Sequence, residues 1–209
     1  MHSVTNCQYV APLVLSLPRP ATVCTVQPVL GTDRLVARPW TTADSDLAAA
    51  YEIYSRPEVA RWLGAPTETE EIRSRVQHWS TPTGDPTYGV WAVEQRANPG
   101  VPIGSVLLRP LPPALEDVEI GWHLHPDQWG NGYATEIGRA AAERAFQTGI
   151  DEVFAIVRPG NRRSMAVARR LGMDYVGTTD KYLGLRLELY RLRPGDLVPA
   201  NDLRRFADA

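Results

Sequence analysis

Cysteine is nearly absent. Only Cys7 and Cys24 occur in 209 residues, with no C-x-x-C pair and no candidate ligand beside them, which argues against a disulfide framework or a zinc site. Long apolar runs are absent too: the longest near the N-terminus, Tyr9 to Leu17, covers about nine residues and contains Pro12, against the roughly 20 needed to span a bilayer. Met1 to Gln8 carries no Lys or Arg to open a secretory signal, and the residues before "ATVC" do not form a lipoprotein cleavage site. The chain is therefore expected in the cytoplasm, with no membrane partner. Net charge is also small. Against 24 acidic side chains stand 22 basic ones, giving a formal charge of -2 and a pI near 6.1, so bulk charge does not argue for nucleic acid and leaves room for a small anionic ligand. No internal repeat or low-complexity segment is present.

What is present suits one globular domain: 44% hydrophobic and 22% charged residues in a length that buries one core but not two. Residues 1–31 have no sustained period and several prolines, as in a disordered extension. From Thr32 the pattern sharpens. "DRLVARPW" sets Leu35 and Ala37 on one face of a strand and Val36 on the other. Thr41 with Asp44, and Thr67 with Glu70, have capping-box spacing and predict two helices joined through "PEVARWLG". Three strand-like runs follow with short turns, "TYGVWAVEQ", "VPIGSVLLR" and "DVEIGWHL", which favours an antiparallel meander. The remainder reads helix (134–148, then Gly149), strand (152–157), helix (162–171, then Gly172) and two further strands. Residues 194–209 read as a peripheral polar tail.

Between the third of those runs and the helix at 134 lies "HPDQWGNGYATE". Gly130 and Gly132 just before a helix start can turn several backbone N–H groups toward an anion, although an ordinary strand-to-helix turn would use glycines for geometry alone. A Walker loop is excluded because no lysine follows either glycine. A dinucleotide fingerprint fits poorly, since Thr135 stands where its third glycine belongs and five residues separate Leu124 from Gly130.

A third pattern fits. "LHPDQWGNGYATE" resembles the acyl-CoA pyrophosphate loop of the GNAT superfamily of N-acetyltransferases, Arg/Gln-x-x-Gly-x-Gly/Ala, with Gly132 and Ala134 in its fourth and sixth places. Trp129 stands where the family usually has Arg or Gln. "TDRLVARPWTTAD", "EIGWHL" and "NRRSMAVARRLGMDYVG" are similar to further elements of the RimJ/RimL type of ribosomal-protein N-terminal acetyltransferases, so the resemblance runs over about residues 32 to 193. It implies an α/β (α+β) GNAT fold: a mixed, mostly antiparallel sheet of about 6–7 strands flanked by about 4 helices and splayed between strands 4 and 5. It also implies acetyl-CoA as cosubstrate, and an amine acceptor that is a protein N-terminus or a small molecule. A homodimer is compatible with it.

The resemblance assigns His123, Leu124, Trp129, Gly130, Asn131, Gly132, Tyr133, Ala134, Asn161 and Arg163 to the cosubstrate. Asn161 either contacts CoA, caps its helix, or does both. Arg162, Arg163, Arg169 and Arg170 face either a ribose phosphate or solvent, with Arg162 or Arg163 the better placed. The superfamily's usual acidic Tyr is replaced here by Ala168. Ser164 matches the acid of the RimJ/RimL type, or simply satisfies backbone in a first helical turn. Glu119 and Asp180 are the candidate bases. Strand alternation puts Glu119 with Gly121 and His123, opposite Ile120, Trp122 and Leu124, so it points to the cleft if the second face is core, and is otherwise a solvated carboxylate. An α-amine of pKa near 7.7 to 8.0 is roughly a tenth neutral at pH 7 and a lysine only about 0.04%, so a weakly defined base favours an α-amine. His123 and His125 form His-x-His, but no third ligand has suitable spacing and no metal is expected. Tyr182 and the Trp62 to Trp79 region are expected on the acceptor side. No cysteine is placed for a covalent intermediate, which leaves direct transfer in a ternary complex. The alternative is a domain that binds acyl-CoA for regulation without catalysis.

Overall fold

The computed structural model describes residues 29–64 and 68–199. In chain order it runs β1 (Leu30–Gly31), β2 (Leu35–Pro39), α1 (Asp44–Tyr54), α2 (Pro57–Leu63), α3 (Thr69–Ser80), β3 (Gly89–Gln95), β4 (Asn98–Leu111), β5 (Ala114–Leu124), α4 (Tyr133–Gln147), β6 (Val153–Val157), α5 (Arg162–Leu171), β7 (Asp174–Thr179) and β8 (Leu187–Leu192). The strands form one sheet in the order β1-β2-β3-β4-β5-β6-β8-β7, antiparallel throughout except for the β5–β6 pair. Among the described residues no helix is long and apolar enough to cross a membrane.

The mixed α/β architecture and the meander follow the sequence pattern, with eight strands and five helices among the described residues against about 6–7 and about 4 expected. The additional strand is Leu30–Gly31, which pairs with β2 through Leu30 opposite Ala37, so the sheet begins inside the stretch expected to be an extension. The additional helix is α2, the "PEVARWL" expected to be a connector. Pro57 at its first turn and Gly64 in a left-handed conformation after its last define it, but seven residues are too few for a periodic signal. Residues 194–199 lie against the end of α5, with Val198 N–H donating to Leu171 O at 3.2 Å and Leu197 packed on the core.

The two faces of the sheet carry separate cores. On one, Trp91, Val93, Val106, Leu108, Val118, Ile120 and Leu124 pack against Ile137, Ala141 and Ala145 of α4 and Val167 and Leu171 of α5. On the other, Ala92 packs with Trp40 and with Ala50, Ile53, Tyr54, Val59, Ile72 and Val76 of the first three helices. Period-two alternation sends successive residues of β3 to opposite cores and sends Ser105, Leu107 and Arg109 of β4 to the side of α1–α3.

The expected capping box of Thr41 and Asp44 does not form. Helix α1 starts at Asp44 after Ala43, with no side-chain cap. Thr41 instead donates its N–H and hydroxyl to Oδ2 of Asp46, at 2.8 and 2.9 Å. The reason is Arg38. Its guanidinium grips Asp46 with two 2.8 Å bonds and gives Nε to Oε1 of Glu94 at 2.7 Å, all three side chains being buried or nearly so. Thr67, of the second expected box, lies outside the described residues; α3 starts at Thr69 after Glu68. The buried triad ties β2 and β3 to α1. Burial alone would raise the Asp46 pKa, but hydrogen bonds from Arg38 and Thr41 outweigh it and hold the carboxyl below its ordinary value.

Removing the cation leaves two buried carboxylates without their partner, so Arg38→Met is expected to cost about 3–5 kcal/mol at pH 7 in urea unfolding. The sign with pH differs between the proteins. In the wild type the contribution of the depressed Asp46 is present above its unfolded value and is lost as pH falls through the folded one, whereas in the variant protonation relieves an unpaired charge. The stability gap is therefore expected to narrow between pH 7 and pH 4.

Candidate active site

The site begins with a failure of pairing. β5 and β6 run parallel and meet in register only at Glu119 opposite Phe154. Beyond that point the strands part, and Ile120 to Leu124 of β5 face Ala155 to Val157 of β6 across a cleft of about 1490 Å³. Twelve of the residues singled out from the sequence line this cleft: Glu119, His123, Leu124, Trp129, Gly130, Asn131, Gly132, Tyr133, Ala134, Asn161, Arg163 and Ser164. Its size exceeds the roughly 300–1,000 Å³ of most small-ligand pockets and suits an elongated ligand with a second reactant.

At one end is the glycine loop. After β5 the chain makes a 3-10 turn at Pro126–Gln128 and enters α4 through Gly130 (φ 83°) and Gly132 (φ 75°), both left-handed. The six N–H groups of Gly130 to Thr135 donate to no acceptor among the described residues; the first amide bonded in α4 is Glu136, to Gly132 O at 3.0 Å. Successive free amides at the positive end of a helix form a seat for an anion. Tyr133 is held by Gln95, whose Nε2 donates to the phenol oxygen at 3.0 Å, and Arg34 lies over its ring at 4.7 Å. Asn131 Nδ2 donates to Gln128 O at 3.3 Å.

Trp129 is tied down from both sides. Its indole N–H donates to Leu124 O at 2.9 Å, and the Arg163 guanidinium lies 4.8 Å from its ring centre. Arg162, Arg163 and Arg170 of α5 line the cleft, and Arg169 does not. Asn161 caps α5 by accepting from Ser164 N–H at 3.2 Å. Ser164 lines the cleft, and its hydroxyl has no hydrogen-bond partner among the described residues.

The opposite wall belongs to the face of α1–α3. The second face of β5 is core, with Val118, Ile120 and Leu124 buried there, so Glu119 does turn toward the cleft. It is 7% exposed and accepts from Arg109 Nε at 2.6 Å, its cross-strand partner on β4. Burial raises the pKa of Glu119, opposed by the charge and hydrogen bond of Arg109. His123 sits two residues along. Burial, with the charges of Arg109 and Arg75, lowers its pKa to about 4, so the ring is neutral near pH 7, and its Nδ1 is buried without a partner among the described residues. Tyr54 meets the ring edge-on at 6.1 Å, shares a 2.6 Å hydrogen bond with Ser105 Oγ, and Trp40 Nε1 donates to the same oxygen at 3.0 Å.

The placements of Tyr182 and Asp180 differ from expectation. Tyr182 does not line the cleft: it is 2% exposed in a cluster with Leu111, Phe154 and Leu187 and donates its hydroxyl to Asp117 at 2.6 Å. Trp62 and Trp79 do line it, on the side of α2 and α3. Asp180 is exposed and away from the cleft. His125 takes Asp127 N–H on Nδ1 at 3.2 Å, and no group of three metal-binding side chains occurs among the described residues. Arg75, Arg109 and Arg158 were not legible from motifs, because cross-strand register and helix facing bring them to the cleft.

Residues 34–174 match the family model described as acetyltransferase (GNAT) domain, well over half of the chain. An uncharacterized N-acetyltransferase of Bacillus subtilis (strain 168), YoaA, is 27% identical over 159 residues, covering 75% of this chain and 88% of that protein. The apo crystal structure of RimL, a ribosomal L7/L12 alpha-N-protein acetyltransferase, is similar with a TM-score of 0.67 at 20% identity, over 80% of this chain and 94% of its own. The aminoglycoside acetyltransferase AAC(6')-Ib, solved in complex with coenzyme A, is similar with a TM-score of 0.62 at 18% identity, over 78% of this chain and 96% of its own. At these identities the two structures establish a shared fold.

A seat built of amides is expected to tolerate shape and reject charge. A Cβ on Gly132 meets only Arg34 Nη2, at an ordinary 3.6 Å, and Asn adopts the left-handed conformation more readily than most residues. Gly132→Asn is therefore expected to bind CoA within a few-fold of wild type, and the near-isosteric Gly132→Asp about tenfold or more weakly, by titration calorimetry. Equal affinities would remove the loop from CoA binding.

Proposed function

The chain belongs to the GNAT acetyltransferase family and is an acetyl-CoA-dependent N-acetyltransferase, and from that premise we propose that it acetylates an α-amine in the manner of the RimJ/RimL type, by direct transfer in a ternary complex. In this reading the amides of Gly130 to Thr135 and the guanidinium of Arg163 take the pyrophosphate of acetyl-CoA. Pantetheine runs along the unpaired stretch of β5 at His123 and Leu124. The acceptor enters from the side of α1–α3.

The observation that carries the reading is Glu119, a buried carboxylate with a raised pKa on the acceptor side of the cleft whose other end is the amide seat. Glu119 takes the proton as the amine nitrogen forms its bond to the thioester carbonyl carbon. Ser164, with its hydroxyl unengaged, gives a proton to the sulfur as the C–S bond breaks and regains one from solvent. A base of raised pKa transfers protons more effectively at neutral pH than an ordinary carboxylate. The ion pair with Arg109 limits how far it rises, which matches an amine of pKa near 7.7 to 8.0 better than a lysine. RimL, an α-N-protein acetyltransferase, is a structural relative whose acceptor fits this chemistry.

Replacement of the base gives the test. Glu119→Gln is expected to lower kcat/KM toward α-amine peptides by about 10²–10⁴ with CoA affinity preserved. The pH profile of kcat/KM in the wild type is expected to have an acid limb above the ordinary carboxylate range, from the raised pKa of Glu119. That limb should vanish in the variant, leaving only titration of the amine itself. An unchanged limb assigns the base elsewhere.

A further inference from the structure

The acceptor wall contains a cation that nothing among the described residues neutralises. Arg75, in the middle of α3, is half-buried and lines the cleft, and it makes no hydrogen bond or ion pair among the described residues. Glu71, four residues earlier on the same helix, is the carboxylate best spaced to pair with it and does not. Its charge instead bears on Tyr54 and His123, which face it from α1 and β5 and offer no anion. Glu119 is the acid on this side, and Arg109 already holds it at 2.6 Å. Arg158 adds a further cation where β6 ends, with its Nε donating to Trp62 O at 2.9 Å. The acceptor wall is thus positive and flanked by aromatic rings.

A guanidinium kept partly out of water without a partner forgoes favourable interactions that a planar carboxylate would restore through two parallel hydrogen bonds. We propose that Arg75 is a specificity-determining residue that receives a carboxylate of the acceptor, so that the preferred substrate presents an anion beside its reacting amine. This rests on the acetyltransferase reading and narrows it. It disfavours polycationic amines, for which Arg75 is repulsive. The carboxylate has two sources: the free C-terminus of an amino acid, or an acidic side chain near the N-terminus of a peptide.

Titration calorimetry on the full chain saturated with CoA separates these sources. One arm compares alanine with alaninamide, and the other compares the amidated peptides Ala-Glu-Ala-Ala, Ala-Gln-Ala-Ala and Ala-Lys-Ala-Ala. In one arm the carboxylate member is expected to bind about tenfold or more tightly than its neutral analogue. In Arg75→Gln the preference should fall to within about twofold, and Arg75→Glu should favour the lysine peptide, with CoA affinity unchanged. A wild-type protein without carboxylate preference in either arm, or a preference kept in Arg75→Gln, overturns the proposal. Should the variants fail to fold, the wild-type ratio and its weakening by salt decide the matter. Thiol release from acetyl-CoA is followed separately: a chain that transfers to no amine loses the proposed α-amine acetylation, while the binding ratios still judge Arg75.

Discussion

Two neighbouring strands that pair at one position and then diverge determine where everything else sits. β5 is held on its outer edge by β4 over the whole run from Gly104 to Leu111, and β6 on its outer edge by β8 from Val153 to Val157. Each strand is therefore anchored away from the gap and free along it. Sheet twist drives such strands apart once the ladder stops. The gap stays open because both faces behind it are filled, one by α4 and α5 and the other by the hydrogen-bonded Trp40, Tyr54 and Ser105. A backbone edge normally consumed by the next strand becomes available to a ligand, at a depth where hydrogen bonds are strengthened by a low local dielectric.

Charge is distributed along this gap with a definite sense. The seat before α4 offers amides and the positive end of a helix, supplemented by arginines of α5. The face across from it combines a carboxylate of raised pKa with an imidazole kept neutral by burial. In the proposed reading an anion is attracted to one end and Glu119 accepts a proton at the other, while burial, with the charges of Arg109 and Arg75, keeps His123 from competing for it. These are opposite demands on a volume only a few residues wide, and they are met because strand alternation sends Glu119 and His123 to the face opposite the α4 packing.

The legible parts were those where local pattern and global fold agree. Alternation in "DRLVARPW", the glycines after α4 and α5, and the loop before α4 each express a geometry set within a few residues. The alternation that turned Glu119 toward the cleft was of the same kind. What remained hidden depends on distant partners. Thr41 has the spacing of a helix cap, yet Asp46 and Arg38 recruit it, since a buried carboxylate gains more from donors than a solvated helix end does. The pairing of Arg109 with Glu119 depends on the register of a 14-residue strand that carries irregularities at both ends. Tyr182 has an acceptor-side sequence position and a buried side chain, because Asp117 and a local apolar cluster claim it first.

Trp129 stands where the family's loop usually carries Arg or Gln, and its contacts account for the exchange. The indole N–H closes onto Leu124 O, fastening the loop to the last residue of β5, and its face carries Arg163 from α5. A polar side chain at this place would supply a donor to the ligand directly. The tryptophan supplies a surface on which a guanidinium from another element rests, and cation–π stacking of this kind contributes about 0.5–2 kcal/mol. In the proposed reading the positive charge is retained but moved across the gap, from the loop to the helix that follows β6. The loop, β5 and α5 then form one unit, so the seat for the anion and the helix bearing Ser164 are positioned by the same side chain.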